Sequence, residues 1–335
     1  MRCPDCNHNQ RYRDGSRCGK CGYQFVLRKR VDTISDYTVR QIVKRLSDNG
    51  QYSFTATQLE LELCRYWRHK INQALIGGIV FAGLVAGVAF FVAHGWSIAI
   101  VVFILLTLFA VWRTQRKKTV LPLAKARKLL QRYRQAHPIA ELADGQAFLD
   151  QPPTDNPADA RYAPERILVV ERDDLVDMLV RNRFHANHKT AVVSRSGYPK
   201  RVVETCRNFL RQHPNIPVQL LHDASLKGFN LKAQLESDPQ WPLAGQRLVD
   251  IGLSSEVTKN GARLPWLPDR GRQSKGSLSA RHQQMLNAGY RVPVDCLGPK
   301  PLMNLLGAAV IGGLLLLPAP DAAGIEIGVE IDDFG

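Results

Sequence analysis

Apolar residues recur at helical spacing along the first part of the chain, vanish into two long runs without any charge, and return in a different rhythm beyond residue 160. Between residues 31 and 70, Val39, Ile42, Val43 and Leu46 follow one another at three- and four-residue intervals. Ser35 or Asp36 can cap this helix, and Asn49-Gly50 supplies its stop. A second helix, starting near Thr55 or Thr57, carries Leu59, Leu61 and Leu63 towards Trp67. Two short helices about a turn fit a helix-turn-helix or a plain helical hairpin, and nothing marks a recognition helix.

Residues 74–93 form an uncharged run of 20 residues, and after His94-Gly95-Trp96 a second run of about 16 continues to Trp112. The pair predicts a transmembrane hairpin over 74–112, with a buried soluble hairpin as the competing reading. Arg65, Arg68 and Lys70 precede it, and Arg113, Arg116, Lys117 and Lys118 follow it. Both flanks are therefore expected on the cytoplasmic side of a cell (inner) membrane, together with everything on either side of the hairpin. Residues 119–160 read as a basic amphipathic helix, with Leu123, Ala126, Leu129 and Leu130 on one side, and then a linker rich in Pro, Asp and Asn.

Over 161–300 short apolar runs alternate with helical patterns: Ile167–Val170 ends on Glu171, TAVVS runs into a Gly-containing turn, and IPVQLL runs into Asp223. This alternation predicts a mostly parallel sheet with helices on its faces. In such sheets functional groups gather at the carboxyl ends of strands, where Glu171, Gly197 and Asp223 fall. The closing region 301–335 holds an apolar stretch, Leu302–Leu317, that is either a third span or a buried helix, and then an acidic tail. The predicted fold class is a multidomain α/β membrane protein.

Composition sharpens this picture at two places. Lys and Arg number 45 against 30 Asp and Glu over the chain, and 22 against 13 between residues 161 and 300, so the α/β domain is basic in its own right. A basic loop there, with Lys259, Arg263, Arg270, Arg272 and Lys275 around Trp266, suits phosphate backbone and a stacked base, and suits anionic lipid headgroups as well. Lys227 adds to the nucleic-acid-binding candidates. At the N-terminus, residues 1–26 place Cys3, Cys6, Cys18 and Cys21 as C-x2-C, eleven residues, C-x2-C. Two tight turns each presenting two thiolates fit a closed, structural Zn²⁺ site, with Gly19 and Gly22 as permissive turn residues. Two disulfides are the competing reading; with no secretory signal ahead of Cys3, reduced thiols and a metal are expected.

The ordered set LVVERDDLVDMLV, SRSGYP, LLHDASLKGFNL and RLVDIGL, over about 166–253, resembles the Toprim domain of the meiotic double-strand-break transesterase and of the topoisomerase VI A subunit. The resemblance implies a carboxylate cluster, Glu171 and Asp223, holding Mg²⁺ for phosphoryl transfer on nucleic acid. Ser225 stands where the family pattern has a second strand-end Asp, and no tyrosine sits in a cleaving motif upstream. Either acid could instead cap a helix or pair with Arg172, Arg195 or Lys227. Three functions follow: a membrane-tethered protein that binds DNA or RNA with a weakened or lost Mg²⁺ site; a Mg²⁺-dependent nuclease using Glu171 and Asp223; or a scaffold that recruits protein partners to the lipid bilayer.

Overall fold

The computed structural model describes residues 1–93, 96–118, 122–149, 164–243, 245–253, 267–268 and 289–313. The chain divides into two compact units, one of residues 1–45 and 59–139, the other of residues 46–58 and 140–335.

The first unit carries helices α1 (Lys29–Asp32), α2 (Asp36–Leu46), α3 (Ala56–Ala93), α4 (Trp96–Lys118) and α5 (Leu123–Ala136), two of which run past its limits. The periodic residues of α2, Val39, Ile42, Val43 and Leu46, are all buried. Ser35 is the residue that caps it, its hydroxyl accepting from the Thr38 N–H at 3.3 Å. Asp36 instead turns back to the preceding loop and accepts from the N–H groups of Val26 and Leu27 at 3.3 and 3.2 Å. Burial pushes its carboxyl up against those bonds.

The expected boundary at residues 70–74 falls inside a single helix: α3 runs 38 residues from the charge-bearing segment into the apolar one. The physical reason is that RHKINQ contains neither Gly nor Pro, so nothing interrupts propagation. Helices α3 and α4 lie side by side, with Gly78 so close to Ala110 that an added Cβ would stand 3.2 Å from the Ala110 methyl. Their outer faces stay apolar and open: Ile76, Phe81, Leu84, Leu105 and Leu108 are each 59–67% exposed. Among the described residues one helix, Ala56–Val88, is long and apolar enough to cross a membrane, and Ile100–Trp112 is a shorter apolar helix. Helix α5 buries Leu123, Ala126, Leu129, Leu130 and Tyr133, and Arg127 forks onto both oxygens of Glu60 in α3 at 3.0 and 3.1 Å.

The second unit is an α/β domain. A short parallel pair joins β1 (Phe54–Thr55) to β2 (Leu142–Ala143). Strands β3 (Arg166–Val170), β4 (Thr190–Ser194), β5 (Val218–Leu221) and β6 (Leu248–Asp250) form one parallel sheet in the order β4-β3-β5-β6. Strand β3 is a continuous apolar run after Arg166 because both of its faces are covered: Ile167 to Val170 are fully buried. The helices are α6 (Asp173–Arg181), α7 (Phe184–Asn187), α8 (Lys200–Gln212), α9 (Leu226–Phe229), α10 (Leu231–Glu236) and α11 (Pro299–Gly312). One core lies between β3, β4, β5 and the helices α8 and α10, and includes Val169, Val193, Leu210, Leu220, Leu235 and Trp241.

Two features extend this unit beyond 161–300. Thr55 and Gln58 form a reciprocal capping box, Thr55 Oγ1 accepting from the Gln58 N–H at 3.2 Å and Gln58 Oε1 from the Thr55 N–H at 2.9 Å, while Gln58 Nε2 donates to the Leu297 carbonyl at 2.8 Å. Helix α11 buries Leu302, Leu306, Ala309 and Val310, and the side chain of Gln219 in β5 donates to the Val310 carbonyl at 2.7 Å. Residues 302–312 are thus a core helix of this unit, closed by Gly313 at φ 66°, and 314–317 of the apolar stretch lie outside the described residues. A last antiparallel pair, β7 (Leu267–Pro268) and β8 (Tyr290–Arg291), precedes a bridge between Ala224 and Val292. That bridge fastens residues 290–296 against the carboxyl end of β5.

Candidate functional site

The four N-terminal cysteines converge: one ligand atom from each of Cys3, Cys6, Cys18 and Cys21 lies within 4.8 Å of all the others. Each pair sits in a tight turn closed by backbone bonds, Asn7 N–H to the Cys3 carbonyl at 3.1 Å and Gly22 N–H to the Cys18 carbonyl at 2.9 Å. Gly22 occupies the left-handed region at φ 77°, and Asn7, at φ 58°, takes the equivalent place in the first turn. Gly19, also in the second turn, does not; in the first turn an asparagine takes the permissive place, and asparagine tolerates that region better than most.

The thiols differ in acidity. The Cys21 N–H bond pulls Cys18 down to about 6, while Cys21 rises to about 12 because burial and three neighbouring thiols outweigh the N–H of Tyr23. Four sulfurs this close cannot all ionise without a cation among them, so the donor set fits a metal ion.

The second candidate lies at the carboxyl edge of the four-stranded sheet. Glu171 follows β3, and one of its oxygens accepts from the Asp223 N–H at 3.1 Å. Burial, then the Asp223 charge, raises its pKa. The Asp223 side chain is fully buried and committed on both oxygens. One accepts from the Val294 N–H at 2.8 Å; the other pairs with Arg291 and stands 4.0 Å from Arg172. Arg172 also pairs with Asp295 and, at 3.1 Å, with Asp174. Asp295 is buried too and accepts from the Thr55 hydroxyl at 2.6 Å. Burial would raise Asp295, yet Arg172 brings it below the usual carboxylate range; Asp174, where burial outweighs Arg172, is pushed up to about 6.

Ser225 is buried and caps α9, its hydroxyl accepting from the Gly228 N–H at 2.8 Å. Mg²⁺ needs several hard oxygens in near-octahedral array. Here Asp223 is matched to a backbone donor and two guanidinium groups, and Ser225 Oγ is spent on a helix cap. Among the described residues the only grouping of three or more potential metal-ligating side chains is the cysteine set. As placed, with Asp223 paired inside the chain and Ser225 capping α9, these residues do not fit a Mg²⁺ ion on Glu171 and Asp223.

Beside these acids His222 is buried with both ring nitrogens engaged: Nδ1 with the Asp223 carbonyl at 2.8 Å and Nε2 with Asp250 at 3.0 Å. Burial alone would lower its pKa, but the Asp250 carboxylate outweighs burial and raises it. The motif glycines make room for this ring. A Cβ on Gly252 would lie 2.6 Å from it, and one on Gly228 2.8 Å from Nδ1. Gly252→Ala is expected to displace His222 and cost about 1–3 kcal/mol, with denaturant unfolding of the full chain as the measure; an unchanged midpoint would contradict the packing.

Of the other expected site residues, Lys227 is exposed just after β5, whereas Lys259, Arg263, Trp266, Arg270, Arg272 and Lys275 lie outside the described residues. Exposed Arg195, Lys200 and Arg201 follow β4, so together with Lys227 they put four cations on the loops and first helical turns behind the carboxyl ends of β4 and β5. The sequence pattern offers Arg195 only as an acid's partner and does not point to Arg291 or Asp295, which are 68 and 72 residues from Asp223. The Tyr198 of the Gly-Tyr-Pro turn is structural: its hydroxyl donates to Asp177 and accepts from the Phe148 N–H at 2.8 Å.

A parallel sheet with acids behind its first and third strands, a Gly-Tyr-Pro turn behind the second and glycines packed on the third-strand loop define a Toprim-type domain. Residues 166–236 match the Toprim-domain family model of Spo11 and the topoisomerase 6 A subunit. No curated protein and no solved structure matches the chain. The match ends before Asp250, Gly252 and Arg291.

Proposed function

We propose that this is a membrane-tethered protein whose cytoplasm-facing Toprim-type domain binds nucleic acid without cleaving it, carried beside a zinc ribbon formed by residues 1–26. The observation that carries the non-cleaving reading is the commitment of Asp223 to Arg291, Arg172 and the Val294 N–H. A carboxylate so neutralised neither attracts a divalent cation nor accepts a proton at low cost. Nucleic acid as partner is supported by the family match over 166–236 and by the basic rim of Arg195, Lys200, Arg201 and Lys227. Membrane tethering is supported by the length and apolar character of Ala56–Val88 and by the exposed apolar faces of α3 and α4. The basic flanks favour both termini of the hairpin on the cytoplasmic side.

The test uses the full chain, since the α/β unit draws residues from 46–58 as well as from beyond 140. Labelled single- and double-stranded DNA and RNA are titrated with and without Mg²⁺ or Mn²⁺. Binding without cleavage is expected, weakening with salt. Reversing Arg195, Lys200 and Arg201 to Glu should reduce the salt slope by about 0.7–0.9 for each phosphate no longer neutralised. Cleavage abolished by Asp223→Asn would establish a nuclease instead, and no binding of any nucleic acid at low salt would leave the recruitment of protein partners.

A further inference from the structure

Beside the hairpin, the first unit encloses a groove of about 860 Å³ that neither the ribbon nor the α/β domain uses. Its long walls are apolar: Ile71, Ala74 and Gly78 from α3 and Leu106 and Phe109 from α4. Gly78 leaves its wall flat, and the volume falls within the range of sites that enclose a small organic ligand. One end is different, for there Thr33, Trp67, Lys70 and Lys125 replace the aliphatic lining. Lys125 Nζ donates to Thr33 Oγ1 at 3.0 Å and stands 5.0 Å from the centre of the Trp67 ring. Lys128 and Arg132 of α5 border a second, smaller hollow that shares Lys125, and Arg132 is already paired with Asp32.

Trp67 supplies the second, independent observation. Its side chain is buried, with 8% of the residue exposed, and its indole N–H has no acceptor among the described residues. A buried indole N–H normally finds one. The groove thus offers an apolar trough, two ammonium groups and one unsatisfied N–H at the junction between the apolar and the basic parts of the hairpin.

We infer that this groove holds one anionic phospholipid, its acyl chain between α3 and α4, its phosphate at Lys70 and Lys125, and an oxygen of its headgroup or ester region accepting from the Trp67 N–H. The inference rests on the membrane reading above. Charge complementarity selects the headgroup, because Lys125, beside Thr33, and Lys70, over the Tyr66 ring, favour a net-negative lipid over a zwitterionic one. The positive-inside orientation also places Lys70 and Lys125 at the leaflet where anionic lipids concentrate. A soluble phosphate compound would leave the apolar trough unfilled.

The experiment uses the full chain in detergent, with phosphatidylglycerol and phosphatidylcholine of equal acyl composition added in competition and bound lipid counted by native mass spectrometry. One phosphatidylglycerol retained in preference to phosphatidylcholine is expected. Lys70→Gln and Lys125→Gln should each reduce that preference about fivefold, and Trp67→Phe should weaken retention while leaving the headgroup preference in place. Equal retention of the two lipids, or a double lysine variant that keeps the wild-type preference, overturns the site. Alkaline extraction of membranes containing the wild-type chain separates the two failures. A chain that stays in the membrane yet shows no headgroup preference loses only the lipid site, whereas a chain released by alkali loses the membrane reading and the lipid site with it.

Discussion

Arg172→Ala is expected to destabilise the α/β unit by about 3–5 kcal/mol, the loss found when one partner of a buried ion pair is removed. Arg172 faces Asp295, Asp174 and Asp223, and the side chains of Asp295 and Asp223 have no exposed surface. Without the guanidinium two carboxylates stay out of water with less compensation, and Thr55 and Val294 donate hydrogen bonds to charges that are then poorly neutralised. Hydrogen exchange of the full chain reads the effect locally: amides of 218–229 and 290–297 should exchange orders of magnitude faster than in the wild type, with the first unit unaffected. Arg291→Ala should act in the same direction through Asp223 alone. The same measurement tests the cation question. If Mg²⁺ bound with a dissociation constant a hundredfold below the concentration used, it would add about 2.7 kcal/mol to the wild type. Internal neutralisation predicts no such gain, and a Mg²⁺-dependent protection that disappears in Asp223→Asn would overturn it.

Removing metal from the ribbon is expected to have an effect at least as large, confined to the N-terminus. Structural Zn²⁺ in isolated small modules contributes about 10–16 kcal/mol at neutral pH, and residues 1–26 have few other means of holding together. Their core is small: Cys3, Cys18 and Tyr23, with Cys6 and Phe25 packed against them. Elemental analysis should find one Zn²⁺ per chain under reducing conditions and none in Cys3→Ser/Cys18→Ser. Chelation should expose residues 1–28 to proteolysis while the α/β unit stays protected. A metal-free wild-type chain whose N-terminus resists protease would refute the ribbon. Tyr23 stacks on His137 at 4.3 Å between ring centroids, so loss of the ribbon should also be felt at the end of α5.

Much of this architecture is written in local pattern, and particular residues show why. The strand-helix alternation from Ile167 to Leu221 is legible because buried parallel strands demand unbroken apolar runs, and amphipathic helices demand periodic ones. The convergence of the four cysteines is legible because four sulfurs at this spacing have few uses other than one shared metal. The limits of the elements are less so: α3 crosses a boundary that changes hydropathy without changing helix propensity, and Leu302–Gly312 reads equally as a short span or a core helix until Gln219 is seen donating to Val310.

The candidate site divides along the same line. Glu171, Gly197, Asp223 and Ser225 lie next to strand ends, so strand order alone brings them to one edge. Whether Asp223 faces a cation from solution or one from the chain depends on Arg291, 68 residues away, delivered by the bridge between Ala224 and Val292. The same holds for Asp250, which reaches His222 only because β6 pairs with β5. The sequence alone determined a cluster of four cysteines able to hold a metal, an apolar helical hairpin and a parallel α/β domain of Toprim type, because each rests on contacts between near neighbours. Only the tertiary structure places Arg291 against Asp223, because that charge comes from a segment whose approach no local pattern encodes.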